Sequence, residues 1–264
     1  MECIITKKKK TIYIIILILS AAVFIACGVY FITDYLHYKS AVDIGGVISQ
    51  GDSNVESSSQ PKTVDVPIDF EELKAVNEDI YAWIRIPYSD QEDKYIADYP
   101  ILQHQTERDY YLEHNVNSEK SSYGAIYTQY YNEKDFSDFN TLIYGHNMRN
   151  GSMFGSLKKY RSRDFFDKNR EIIIYMPDRI LKYQIFGAYV FDDRHILMSF
   201  DFDTEEGIEE YLDTVSSYNS ISSNFDKDIE VTASDKIITL STCTSNEGQR
   251  YLVQAVLVYD SATE

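Results

Sequence analysis

Between Thr11 and Thr33 the chain runs for 23 residues without a charged side chain, directly after the basic cluster Lys7 to Lys10. At a rise of about 1.5 Å per residue, a helix of that length crosses a hydrocarbon core of about 30 Å. A secretory signal would have a shorter apolar core followed by a small-x-small cleavage site, and neither is found here. The pattern predicts a single membrane anchor. Lysines favour the cytoplasmic side, so residues 1–10 are expected inside the cell and everything after Asp34 outside it. That segment divides the chain. Residues 34–66 read as an extracellular stalk and linker, with Ser49 to Thr63 polar and Ser-rich. Residues 67–264 are left to fold as one domain.

The composition of that domain suits a β core. The chain has 23 tyrosines and only five prolines, with Ile and Val in short runs. Its formal charge of −17 argues against a nucleic-acid partner, which needs clustered Lys and Arg, and reads simply as a solvated acidic surface. Cysteine usage excludes a disulfide framework. Cys3 and Cys27 lie at or inside the membrane segment, so Cys243 has no partner in the domain. Such a thiol is either buried and inert or kept for its reactivity.

Local patterns place the elements. Asp69 and Glu72 have capping-box-like spacing, and Leu73, Val76, Ile80 and Trp83 recur at helical intervals, which predicts a short amphipathic helix. Two strands are expected between Trp83 and Leu102, and a brief helix from Thr106 to His114. Gly124 to Tyr127 and Leu142 to Tyr144 read as buried strands, with Asn150-Gly151 as a tight turn. Glu171 to Met176 and Leu181 to Phe191 form a hairpin around Pro177-Asp178-Arg179. Asp203 to Ser217 is helical, with Ile208, Leu212 and Val215 on one face. Lys236 to Ser241 and Tyr251 to Tyr259 are the last two strands. Many short strands and few helices point to a closed or nearly closed β-barrel.

Three strand ends carry chemistry. Cys243 closes the run Ile237 to Thr242, Arg250 opens the next strand, and His146 closes Thr141 to Gly145. A free thiol with a pKa of about 8.5 is only a few per cent thiolate at neutral pH, and neighbouring positive charge raises that fraction. An imidazole can protonate a leaving amine and later deprotonate an incoming nucleophile. A guanidinium cannot act as a base, but it can stabilise an oxyanion or grip carbonyls. Each residue also has a bland reading: an inert small hydrophobe, a turn residue, a surface charge. His37, His104, His114 and His195 have no motif around them and read as surface residues. No pair of ligands has zinc-like spacing, and neither a Walker loop nor a GxGxxG occurs, so neither a metal nor a cofactor is expected.

The surrounding residues resemble those of a known family. Thr239-Leu240-Ser241-Thr242-Cys243 resembles the TLxTC signature of sortases, the membrane-anchored cysteine transpeptidases of Gram-positive bacteria. Gly145-His146-Asn147-Met148 followed by Gly151 to Leu157 is similar to the histidine segment of class B sortases. So are Ala82 to Pro87, Asp98 to Gln103, Tyr110-Tyr111-Leu112 and Tyr123 to Tyr127. The resemblance spans roughly Pro67 to Tyr259. It implies an eight-stranded sortase-type β-barrel, mainly β, with N-terminal helices and a helix before the cysteine-bearing strand. It also implies a mechanism. Cys243 would attack a C-terminal sorting motif of a secreted protein after Thr, forming a thioacyl-enzyme. An amine from a peptidoglycan precursor or another surface protein would resolve it. His146 would serve as acid and base, and Arg250 would stabilise the oxyanion and position the motif. Thr242, Ser241 and Asn147 would supply substrate or oxyanion contacts. The short polar loop from Thr244 to Gln249 borders the groove, so LPxTG-like and NPxTG-like motifs both stay open.

Two other enzyme classes fit the residues less well. An L,D-transpeptidase places a glycine before its cysteine and an arginine two residues after it, whereas Thr242 and Ser245 stand at those positions. A papain-like peptidase places its cysteine before its histidine, the reverse of this order. The alternative from another class is a catalytically inactive, membrane-tethered binding module.

Overall fold

The computed structural model describes residues 2–42, 64–218 and 223–263. They fall into two units. The first is a single helix, α1 (Glu2–Val42), within which Tyr13–Leu36 is long and apolar enough to cross a membrane. The helix continues nine residues past Thr33, so the start of the expected stalk is helical. The expected linker from Ser49 to Thr63 lies outside the described residues.

The second unit is a closed mixed β-barrel. Its ring consists of β1 (Ile80–Pro87), β2 (Tyr95–Leu102), β3 (Ile126–Thr128), β4 (Asn140–Tyr144), β5 (Glu171–Met176), β6 (Arg179–Asp192), β8 (Ile237–Cys243) and β9 (Gln249–Asp260). The order around the ring is β5-β1-β2-β3-β4-β8-β9-β6, and pairing of β5 with β6 closes it. The two-residue β7 (Asn224–Phe225) adds to β6 outside that ring. Closure removes the free edges that an open sheet would expose. Most pairs are antiparallel, but β2 with β3 and β4 with β8 are parallel.

Helix α2 (Phe70–Val76) starts where the sequence predicts, with Asp69 Oδ1 accepting from the amides of Glu71 and Glu72 at 3.0 Å each. It ends earlier than predicted. Ile80 and Trp83, expected on the helical stripe, are strand residues of β1, and both are buried. Asn77 causes the break: its extended backbone caps the helix, and its side chain bonds to Tyr111 and Val116. The helix expected over Thr106–His114 shrinks to one 3-10 turn, Tyr110–Leu112.

One outer face of the barrel decides where chemistry can occur. Side chains alternate along strands, so Ile237, Thr239, Ser241 and Cys243 share a face. Leu252 and Val256 of β9 join Ile237 there in a cluster with Leu142, Tyr189 and Phe191. Helix α5 (Glu205–Ser217), N-capped by Thr204, covers this face with Ile208, Tyr211 and Val215. Tyr211, not the predicted Leu212, is the fully buried residue between the other two. Beneath it, Gln254 accepts from the Tyr189 hydroxyl and donates to Tyr211 Oη and Thr239 Oγ1. The short helix α4 (Ile196–Ser199) follows β6 and adds Ile196 to the cluster. Helix α3 (Arg163–Lys168) precedes β5. The cluster ends short of Ser241 and Cys243, which leaves a cleft at the rim.

Candidate active site

Parallel pairing of β4 with β8 brings the histidine to the cysteine. Their register runs from Asn140 with Ile237 to Tyr144 with Ser241. Two residues beyond that last pair, one strand reaches His146 and the other Cys243. Three hydrogen bonds tie the two ends together. Gly145 N donates to Ser241 O at 3.2 Å, Thr242 Oγ1 donates to Gly145 O at 2.7 Å, and Asn147 Nδ2 donates to Cys243 O at 2.9 Å. Gly145 must lack a side chain, because a Cβ there would stand 2.5 Å from Ile126 Cδ1 and 2.8 Å from the Phe154 ring. On the other flank, the β8–β9 hairpin pairs Cys243 directly with Arg250. The two strand-end pairings bring all three residues together at one rim.

The environment of each residue answers its bland reading. Cys243 is exposed, so the thiol is not an inert core group. Arg250 is half-buried, and among the described residues it makes no ion pair; Nη1 donates only to the carbonyls of Glu247 and Gln249, at 3.1 Å each. Its charge remains available to a ligand. His146 is also half-buried, and its Nε2 lies 2.7 Å from Leu112 O. A carbonyl only accepts, so Nε2 carries a proton. Ser241 is buried and lines the cleft. Thr242 is buried as well, and its hydroxyl proton is committed to Gly145.

The cleft has a volume of about 350 Å³ and extends well beyond Cys243, His146 and Arg250. Sequence reasoning missed its far end. Gln129, only 4% exposed, donates to Asp109 Oδ1 at 2.7 Å and accepts from His195 Nε2 at 2.6 Å. His195 is therefore half-buried in the cleft wall instead of lying on the surface. Burial, reinforced by the nearby Arg108, pushes its pKa down and favours the neutral ring. Burial likewise raises the Tyr127 and Tyr144 hydroxyls well above their ordinary value, and nearby Asp109 adds to it. They line the cleft as neutral donors. Arg194 holds the Asp192 carboxyl down to about 2, so the acid at this end is ionised at neutral pH. A polar residue two positions beyond buried Tyr127 was the only available sequence signal for Gln129.

Comparison with known proteins bears on the family and the fold. Residues 93–258 match the Sortase domain family. The chain is 35% identical over 193 residues to sortase B of Listeria monocytogenes, covering 72% of this chain and 74% of that protein. It is 32% identical over 176 residues to sortase B of Staphylococcus aureus, covering 66% and 67%. Among solved structures, sortase B from Bacillus anthracis in complex with AAEK1 superposes with a TM-score of 0.69 at 29% identity, over 86% of this chain and 99% of that one. The Staphylococcus aureus sortase B–substrate complex gives a TM-score of 0.61 at 29% identity, over 72% and 84%.

Proposed function

The chain belongs to the sortase family, with sortase B relatives, and on that premise we propose that Cys243, His146 and Arg250 transfer the C-terminal sorting motif of a secreted protein onto an amine. The supporting observation is the cross-tie between β4 and β8, which sets His146 beside an exposed Cys243 while the adjoining hairpin sets Arg250 opposite it.

The steps follow from the groups present. The Cys243 thiolate attacks the carbonyl carbon of the motif's threonine, and a carbon–sulfur bond forms. Arg250 stabilises the charge that develops on oxygen. The carbon–nitrogen bond then breaks, and His146 gives its proton to the departing amine. An acceptor amine attacks the thioester, loses a proton to His146 and expels the thiolate. Thr242 and Asn147 hold the two strand ends in register, and Ser241 forms part of the cleft surface against the substrate. The acceptor is an amine of a peptidoglycan precursor or of another surface protein. Helix α1 anchors the enzyme with its catalytic domain outside the cell, where both substrates are found.

Peptides bearing an LPxTG-like or NPxTG-like motif test the reading, incubated with and without an added amine. The expected result is cleavage that yields the amine-capped product when amine is present and is abolished in Cys243→Ala with the fold intact. Cleavage by Cys243→Ala at the wild-type rate would refute it.

A further inference from the structure

Three successive carbonyls at the end of the 3-10 turn beside His146, from Tyr111 to its C-cap Glu113, have three different partners. Tyr111 O accepts from Ala125 N at 2.9 Å, and Glu113 O accepts from Ser121 N at 2.8 Å. The carbonyl between them, Leu112 O, accepts from His146 Nε2. Segment 121–125 is thus laced to this turn on both sides of the bond that holds the imidazole. Gly124 lies at the crossing, with a φ of +56°. A Cβ at Gly124 would stand 2.6 Å from Tyr111 O, 2.8 Å from Leu112 O and 3.1 Å from His146 Cδ2. Two of those neighbours are backbone, which cannot swing aside as a flexible side chain could, and the backbone conformation itself favours glycine.

We propose that Gly124 is a positioning residue for the reaction. Its missing side chain lets segment 121–125 close on the turn, and the Leu112 carbonyl then fixes the neutral His146 ring as the Nε2–H tautomer. This rests on the roles given to His146 and Cys243 above. The consequence is an assignment of nitrogens. Nε2 stays bonded to the backbone through the cycle, and Nδ1 exchanges the proton with sulfur and amine. A ring free to flip would present the wrong nitrogen for part of the time.

The test uses the full chain in neutral detergent with ¹⁵N-labelled histidine, and His146→Gln identifies the His146 signals. Neutral His146 in the wild type is expected to show a protonated Nε2 and a bare Nδ1. In Gly124→Ala the two tautomers should mix, and kcat should fall roughly a hundredfold, as expected for a misplaced catalytic group, while KM stays near wild type. A wild-type ring protonated at Nδ1 overturns the proposal. So does Gly124→Ala with unchanged kcat, or with lost kcat but an unchanged tautomer, which would make the glycine merely structural. A Gly124→Ala chain that does not fold likewise makes the glycine merely structural and overturns its positioning role, while the wild-type spectrum still tests the tautomer. A Cys243→Ala enzyme that still cleaves would instead remove the underlying reading.

Discussion

Arg250 shows how much one side chain can be asked to do. It cannot lose its proton, among the described residues it has no carboxylate partner, and the β8–β9 register sets it against the thiol. Shape as well as charge matters for its proposed role, because a planar guanidinium presents several N–H donors in a fixed plane and a lysine presents a compact point charge. Arg250→Lys is therefore expected to lose roughly a hundredfold or more in kcat/KM, as for removal of an oxyanion donor, with no change in melting temperature. Turnover near wild type would take Arg250 out of the mechanism. The same reasoning separates Thr242 from the reacting groups. Its hydroxyl bonds Gly145 O inside the barrel, so Thr242→Val should destabilise the fold by about 1–3 kcal/mol through the unsatisfied carbonyl. Equilibrium denaturation reads this directly, and an unchanged midpoint would show the strap to be idle.

At the scale of elements, the site depends on a parallel contact between strands nearly a hundred residues apart. Motifs at each strand end were legible because the proposed chemistry calls for particular residue types there. The hairpin carrying Cys243 and Arg250 was legible too, since a short polar loop between apolar runs allows little else. Other elements were hidden for physical reasons. Ile80 and Trp83 continue a helical spacing, yet they sit in β1, where pairing with β2 and burial of both outweigh local periodicity. His195 looked like a loop residue because its partner, Gln129, lies 66 positions away. Likewise, the closeness of Gly124 to His146 arises only when the Leu112 turn folds across it. Contacts between residues far apart in sequence leave no local trace.

For the molecule as a whole, two ion pairs belong to the barrel's construction. Arg179 and Asp260 join the start of β6 to the end of β9, and Arg170 and Asp226 meet at 2.5 Å between the start of β5 and the segment after β7. Each arginine holds its aspartate below the usual carboxylate value. A carboxyl depressed in the folded state adds stability that is present above its unfolded pKa of about 4 and lost as pH falls through the folded value. Unfolding free energy should therefore decline below about pH 4. Asp260→Asn should cost roughly 1–3 kcal/mol at neutral pH and make that decline shallower. An acid limb as steep as in the wild type would assign the loss to other groups. The closed ring is the rigid frame that keeps three residues from three strand ends in one place.

The most direct measurement is intact-protein mass spectrometry of the full chain mixed with a sorting-motif peptide and no added amine, followed by digestion to locate any adduct. The expected result is a transient gain equal to the acyl fragment ending in threonine, carried on the peptide that contains Cys243 and discharged when an amine is supplied. Peptide cleavage at full rate with no adduct on Cys243 at any time point, including rapid acid quench, would contradict it.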